Sequence, residues 1–163
     1  MQKYNIFLVI IKEIYKIYSK YFHLYPNLLN RDFKADRLNK NLVKDISYIK
    51  TAHGTLYLSI IRDLFDNIIV LYKTNTTQNI NLVLSTSRLA KKKENVTEAL
   101  QLHSDQSLKY TSHAYFKLTQ SYGITPSISR RGNPYDNALA ENFFSILKTE
   151  CIYRTKFKTF TQI

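Results

Sequence analysis

From Leu42 onward the chain switches between two hydrophobic rhythms, and the order of the switches leaves few folds open. Leu42-Val43-Lys44-Asp45-Ile46-Ser47-Tyr48-Ile49 is a short β-type run broken by His53-Gly54. Thr55 to Ile61 is a second run and Asn67 to Tyr72 a third, with a tight turn near Asp63–Asn67 between them. These three predict an antiparallel meander. Thr77 to Lys93 then has helical periodicity, with Ile80, Val83, Leu84 and Leu89 on one side. Lys91-Lys92-Lys93 closes it at the negative end of the helix dipole, as a solvated cap. Leu100–His103 is a fourth strand, and Ser112 to Tyr122 a helix stopped by Gly123. Ile124–Ile128 is a fifth strand, and the polar loop Ser129–Tyr135 leads to a last helix from about Asp136 to Cys151.

The resulting order, β-β-β-α-β-α-β-α, predicts an α/β fold with a mixed five-stranded sheet and flanking helices, the ribonuclease-H-like arrangement. That core is expected over 42–163. Ahead of it, residues 1–25 have one amphipathic stripe (Ile10, Ile14, Ile17, Tyr21) and predict an N-terminal helix stopped by Pro26, and 26–41 has the look of an irregular basic linker. The run Ile6–Ile11 holds six apolar residues and is followed at once by Lys12 and Glu13, against about 20 needed to span a bilayer. No membrane partner is expected, and no cleavable leader. The single cysteine excludes an internal disulfide and a cysteine zinc site, and Cys151 is expected to pack as a small apolar residue. These features suit a cytoplasmic protein.

The charge points to a polyanionic partner. The chain carries 24 basic and 12 acidic side chains, a net +12 spread along its length and richest in the first quarter. DNA or RNA is the first expectation from such a balance and an anionic membrane the second.

Against that basic background a few acids stand out. Asp45 lies inside an apolar strand, where an unpaired charge is costly unless a cation compensates. A solvent-facing edge-strand Asp is the plainer alternative. Asp105 follows directly on the fourth strand, a common place for ligand-binding groups in α/β sheets, though also a usual place for a turn or helix cap. Glu141 shares a helix face with Phe144, Ser145 and Lys148. That face suits a metal ligand at one end and a phosphate-binding lysine two turns on, or else a solvated pair of charges. Thirty-five residues separate Asp105 from Glu141. Carboxylates from separate elements are what holds two divalent ions about 3.5–4 Å apart for phosphodiester chemistry. Asp63 and Asp66 flank a turn, where Asp serves the backbone. His103 is expected to orient its neighbours through hydrogen bonds rather than bind metal.

Several segments together resemble one family. Asp45-Ile46-Ser47-Tyr48-Ile49, His103-Ser104-Asp105-Gln106, Ser127-Ile128-Ser129-Arg130-Arg131-Gly132-Asn133, Tyr135-Asp136-Asn137-Ala138 and Glu141-Asn142-Phe143-Phe144-Ser145-Ile146-Leu147-Lys148-Thr149-Glu150 are similar to the integrase-type catalytic core of bacterial insertion-sequence transposases of insertion-sequence family three. The resemblance runs from about Pro26 to Ile163. It implies a D-D-E triad on Asp45, Asp105 and Glu141 holding two Mg²⁺ (or Mn²⁺) ions for DNA cleavage and strand transfer in transposition. It also implies DNA as partner (element ends and target), a homo-oligomer on DNA, and association with the nucleoid when DNA is bound. Arg130, Arg131, Asn133 and Lys148 are the candidate DNA contacts. Departures from the family pattern are Leu42 for a Trp, Ser107 for a Gly, and Leu71-Tyr72 for a Gly-Trp pair. By this resemblance the chain is expected to be a core truncated at both ends, either an active enzyme or a catalytically silent remnant that binds DNA weakly.

Overall fold

The fold is described from a computed structural model covering residues 23–94 and 100–155. Three strands form the expected meander: β1 Asn41–Thr51, β2 Gly54–Asp63 and β3 Ile69–Asn75. Helix α1, Ile80–Glu94, follows, then β4 Leu100–Ser104, α2 His113–Ser121, β5 Ile124–Ile128 and α3 Ala138–Leu147. The strand order is β3-β2-β1-β4-β5, with β1–β2 and β2–β3 antiparallel and β1–β4 and β4–β5 parallel. The mixed five-stranded sheet with flanking helices is the one the hydrophobic rhythm predicts.

Local chemistry sets the element ends. Thr77–Asn79 falls outside α1 because the Asn79 side chain accepts from the Leu82 amide at 3.0 Å and caps the helix there. Ser112 does the same for α2 by accepting from Tyr115 N at 3.2 Å, and Gly123 leaves that helix at φ +61°. In the β2–β3 turn, Asp63 accepts from the amides of Phe65 (2.8 Å) and Asn39 (2.6 Å), and Asp66 from that of Ile68 (2.9 Å). Both acids serve backbone there, as their turn position predicts. Of the lysine run, Lys93 donates to the Val70 carbonyl at 2.9 Å, so it braces α1 to β3 instead of standing free in water.

Strand alternation sorts the core onto two faces. Leu42 and Ile61 pack with Ala90 of α1, while Val83 and Leu84 of α1 meet Tyr115 and Leu118 of α2. On the other face Ile49, Leu58 and Ile60 meet Phe144 of α3 and Ile152, and Val43 meets Ala140 and Leu29. Helix α3 therefore lies across β1, opposite α1 and α2. Arg62 fixes its start by donating to the Leu139 carbonyl at 3.1 Å. After Leu147 the helix widens into a π turn, Lys148–Ile152, which sends Ile152 into the core and leaves Cys151 exposed. The expected burial of Cys151 is thus corrected: the wider turn rotates the inward position by one residue.

The helix expected over residues 1–25 lies outside the described residues except for 23–25, which are not helical. Here backbone pairing competes with the helix: His23 N donates to Thr111 O (2.8 Å), and Pro26 O accepts from Ile128 N (3.1 Å). Residues 26–40 hold no helix or strand, and they are bound to the core. Leu28 N donates to Ser127 Oγ at 2.9 Å and Leu29 is buried. No helix among the described residues is long and apolar enough to cross a membrane.

Candidate active site

Asp45 occupies the central strand, half-buried, on the face covered by α3. Strands β1 and β4 pair at Asn41–Gln101, Leu42–Leu102 and Val43–His103. Asp45 and Asp105 each stand two residues beyond that last pair, so neighbouring parallel strands deliver both acids to the same level. Asp45 Oδ1 accepts from the Ile46 amide at 2.7 Å and Oδ2 from Asn137 Nδ2 at 3.2 Å. Asp105 Oδ1 accepts from Ser107 N at 3.2 Å, a bond the Ser-for-Gly departure leaves intact. Glu141 lies in the first turn of α3 with its side chain exposed.

The electrostatics tie the three acids together. Burial first, then the charges of Asp105 and Glu141, push the Asp45 carboxyl up to about 7, against the lowering effect of its bonds to Ile46 N and Asn137. Both other carboxylates thus lie within electrostatic reach of Asp45, and among the described residues no cation offsets them there. Among the described residues no three His, Cys, Asp or Glu side chains are gathered closely enough to hold a metal ion by themselves. Asp45 and Asp105 stand at one level of neighbouring strands, and Glu141 lies exposed in the first turn of α3. The donors are all hard oxygens, with no thiol, and this set fits Mg²⁺ or Mn²⁺.

Behind the acids stands a buried polar network. His103 is fully buried on β4, its charged form disfavoured by burial. Nε2 lies 2.9 Å from Asp136 O, which can only accept, so Nε2 carries the proton. Nδ1 then accepts from Ser127 Oγ at 2.8 Å. His103 orients its neighbours, as expected. Asp136 is 1% exposed and accepts from Asn27 Nδ2 (2.8 Å), Arg31 Nε (3.2 Å), and Arg130 N (3.0 Å), Nε (2.8 Å) and Nη2 (2.9 Å). The Arg130 bonds foremost hold its carboxyl well below the usual range. Arg31 reaches it from a left-handed backbone at φ +67°.

The four candidate DNA contacts fall differently. Arg130 is engaged with Asp136 and half exposed. Arg131 is exposed at the loop tip beside Gly132, which has φ +70°. Asn133 accepts from Tyr135 N at 3.2 Å and caps the short 3-10 turn Pro134–Asn137. The Lys148 ammonium sits 4.6 Å from the centroid of the exposed Tyr48 ring. The sequence reading missed Asp136 and Asn137 as parts of the site. The signal was there in Tyr135-Asp136-Asn137-Ala138, but polar residues before a helix suit a cap equally well.

Comparison with known proteins identifies the family. The integrase core domain family matches residues 35–134, and a second integrase core domain profile matches 122–163. The transposase for insertion sequence element IS904 of Lactococcus lactis is 40% identical over 134 residues, 82% of this chain and 53% of that protein. The transposase InsF for IS3A of Escherichia coli is 30% identical over 131 residues, 80% of this chain and 46% of that protein. The chain spans about half the length of these curated relatives. Among solved structures, the catalytic domain of Mos1 mariner transposase superposes with TM-score 0.66 at 10% identity, over 76% of this chain and 65% of that one. The HTLV-2 integrase catalytic core in complex with magnesium superposes with TM-score 0.56 at 17% identity, over 69% of each chain. These two share the fold. The chain belongs to the integrase core domain family, among the relatives of insertion-sequence transposases.

Proposed function

We propose that this chain is the catalytic part of a transposase, a polynucleotidyl transferase that cuts DNA at element ends and joins it to a target. The observation that carries the reading is that Asp105 and Glu141, from two other elements, lie within electrostatic reach of Asp45, which meets no countercharge among the described residues. Asp45 and Asp105 would hold one Mg²⁺ or Mn²⁺ ion, and Glu141 with one of them a second. Bound there, the ions supply an activated oxygen nucleophile and stabilise the leaving oxygen of the phosphodiester.

The remaining residues handle the DNA. Arg131 and Lys148 stand exposed or half-exposed and reach for phosphates, which position a duplex without reading its sequence. Arg130 and Asn133 shape the loop between them, through Asp136 and the 3-10 turn, and offer their exposed halves to the same backbone. The magnesium-bound HTLV-2 integrase core supports the metal by likeness of fold. The transposase relatives support DNA as the substrate. Assembly of several copies on that DNA, and a place at the nucleoid when bound, belong to the same proposal.

The test is a nicking assay on a short duplex carrying a flayed end, with Mg²⁺ or Mn²⁺. Wild-type chain should nick, and Asp105→Asn should not, because an amide is a neutral and poorer ligand for a hard cation. Equal activity of the two, or metal-independent nicking, would sink the reading. No nicking by either, with DNA still bound, would mean a catalytically silent DNA-binding remnant.

A further inference from the structure

Asn137 is the residue just before α3 and is 6% exposed. Its amide is half used. Nδ2 donates to Asp45 Oδ2 at 3.2 Å, while the buried Oδ1 meets no donor among the described residues. A buried carbonyl oxygen left without a partner bears its full desolvation cost, and natural folds seldom keep one without reason. Nor is the side chain loosely placed. The preceding residue is gripped by Arg130, Arg31 and Asn27 through its carboxylate and by His103 through its carbonyl.

The geometry puts the unpaired oxygen beside Asp45. Adding the span of an amide group to the observed bond, Oδ1 lies within roughly 5.5 Å of Asp45 Oδ2. A cation held about 2.1 Å from that carboxylate can take Oδ1 directly or through one of its waters. An amide carbonyl is a neutral, hard oxygen donor, and it adds no further negative charge to a site where carboxylates already repel one another.

We propose that Asn137 is a positioning residue and an additional oxygen donor of this site, steadying Asp45 through Nδ2 and presenting Oδ1 to the cation's coordination shell. The proposal rests on the reading of the site as a divalent-metal centre.

Mn²⁺ affinity of the full 163-residue chain, measured by electron paramagnetic resonance without DNA, tests it independently of cleavage. Asn137→Ala should weaken Mn²⁺ binding about tenfold or more, the usual effect of removing a group that supports a metal ligand. Asn137→Asp is isosteric and sets an anionic oxygen where Oδ1 stands, so it should bind Mn²⁺ at least as tightly as wild type. Asn137→Ala within twofold of wild type overturns the proposal. So does Asn137→Asp as weak as the alanine variant, since only the bond to Asp45 would then matter. Melting of the metal-free variants checks folding, and if the alanine variant is unfolded the isosteric one decides. Wild type showing no saturable Mn²⁺ site that Asp45→Asn removes is a different result: it defeats the metal-centre reading itself.

Discussion

Asp136 takes the Arg130 guanidinium as a two-pronged fork, Nε to Oδ2 at 2.8 Å and Nη2 to Oδ1 at 2.9 Å, six positions apart in the chain. Arg31 and Asn27 fasten a distant segment to the same carboxylate, so one buried acid sets the shape of the loop that leads into α3. Asp136→Ala should destabilise the chain by about 2–3 kcal/mol, less than a fully buried ion pair because both arginines are half exposed and rehydrate. The folded carboxyl lies below its ordinary value. Its contribution is therefore complete above about pH 4 and lost as pH falls below that. Denaturant melts of wild type and variant should differ at pH 7 and converge in acid, and a difference that persists in strong acid would contradict the account.

Asp45 behaves in the opposite sense. Its folded carboxyl sits at about 7, above the unfolded value near 4. Between those two values the folded chain keeps a proton that the unfolded chain has released, so stability falls as pH rises through the window, with the whole cost present above 7. Without metal, Asp45→Asn should gain about 2 kcal/mol at pH 8, a value discounted for partial exposure, and almost nothing at pH 4. Melting curves at the two pH values in chelator would show whether the gain has this dependence.

Lys44 is fully buried on the opposite face of β1, donating to the Val83 carbonyl and to Ser87 Oγ, with the Tyr110 ring 5.9 Å from its ammonium. Burial lowers its pKa well below the ordinary lysine value. The unfolded chain then binds more protons from that lowered value up to about 10.4, so stability rises with pH across that range. Lys44→Met should stabilise the fold at pH 7 by about 1–3 kcal/mol, with a margin that shrinks toward pH 10. Ser87 Oγ keeps its own bond to Val83 O at 3.1 Å and is not orphaned by the change. A loss of stability at pH 7 would show that the buried bonds outweigh desolvation.

DNA affinity should fall with salt as phosphate contacts dictate, with a log–log slope of about −0.9 per contact on duplex DNA. Lys148→Ala should reduce the magnitude of that slope by about one contact. Tyr48→Phe, which keeps the ring under the ammonium, should leave it unchanged. A slope insensitive to Lys148 would remove this residue from the DNA surface.

The sheet was legible in the chain because its rhythm is clean: Leu42–Ile49, Thr55–Ile61 and Leu100–His103 each fall within the strand they predict. Asp63 and Asp66 were readable as turn residues, and His103 as an orienting group, because local backbone chemistry decides such roles. What escaped was everything set by contact at long range. Nothing adjacent to Asn27 or Arg31 signals that both meet Asp136 more than a hundred residues on. Residues 23–25 fall in the stretch expected to be helical, yet backbone bonds from His23 to Thr111 and from Ile128 to Pro26 tie this segment to the core instead. Cys151 looked apolar by position because a regular 3.6-residue period was assumed through the π turn.

The central ladder ends early. Strands β1 and β4 share only three residue pairs, after which β1 continues with β2 as far as Thr51–Gly54 while β4 stays with β5 through Ser104–Ile128. Past Val43 and His103 the sheet parts like an unfastened seam, with Asp45 on one lip and Asp105 on the other. No backbone bond across the seam dictates how far apart the two acids stand, so whatever sits between them sets the gauge. A strand pair zipped to its tips would have fixed that gauge in advance.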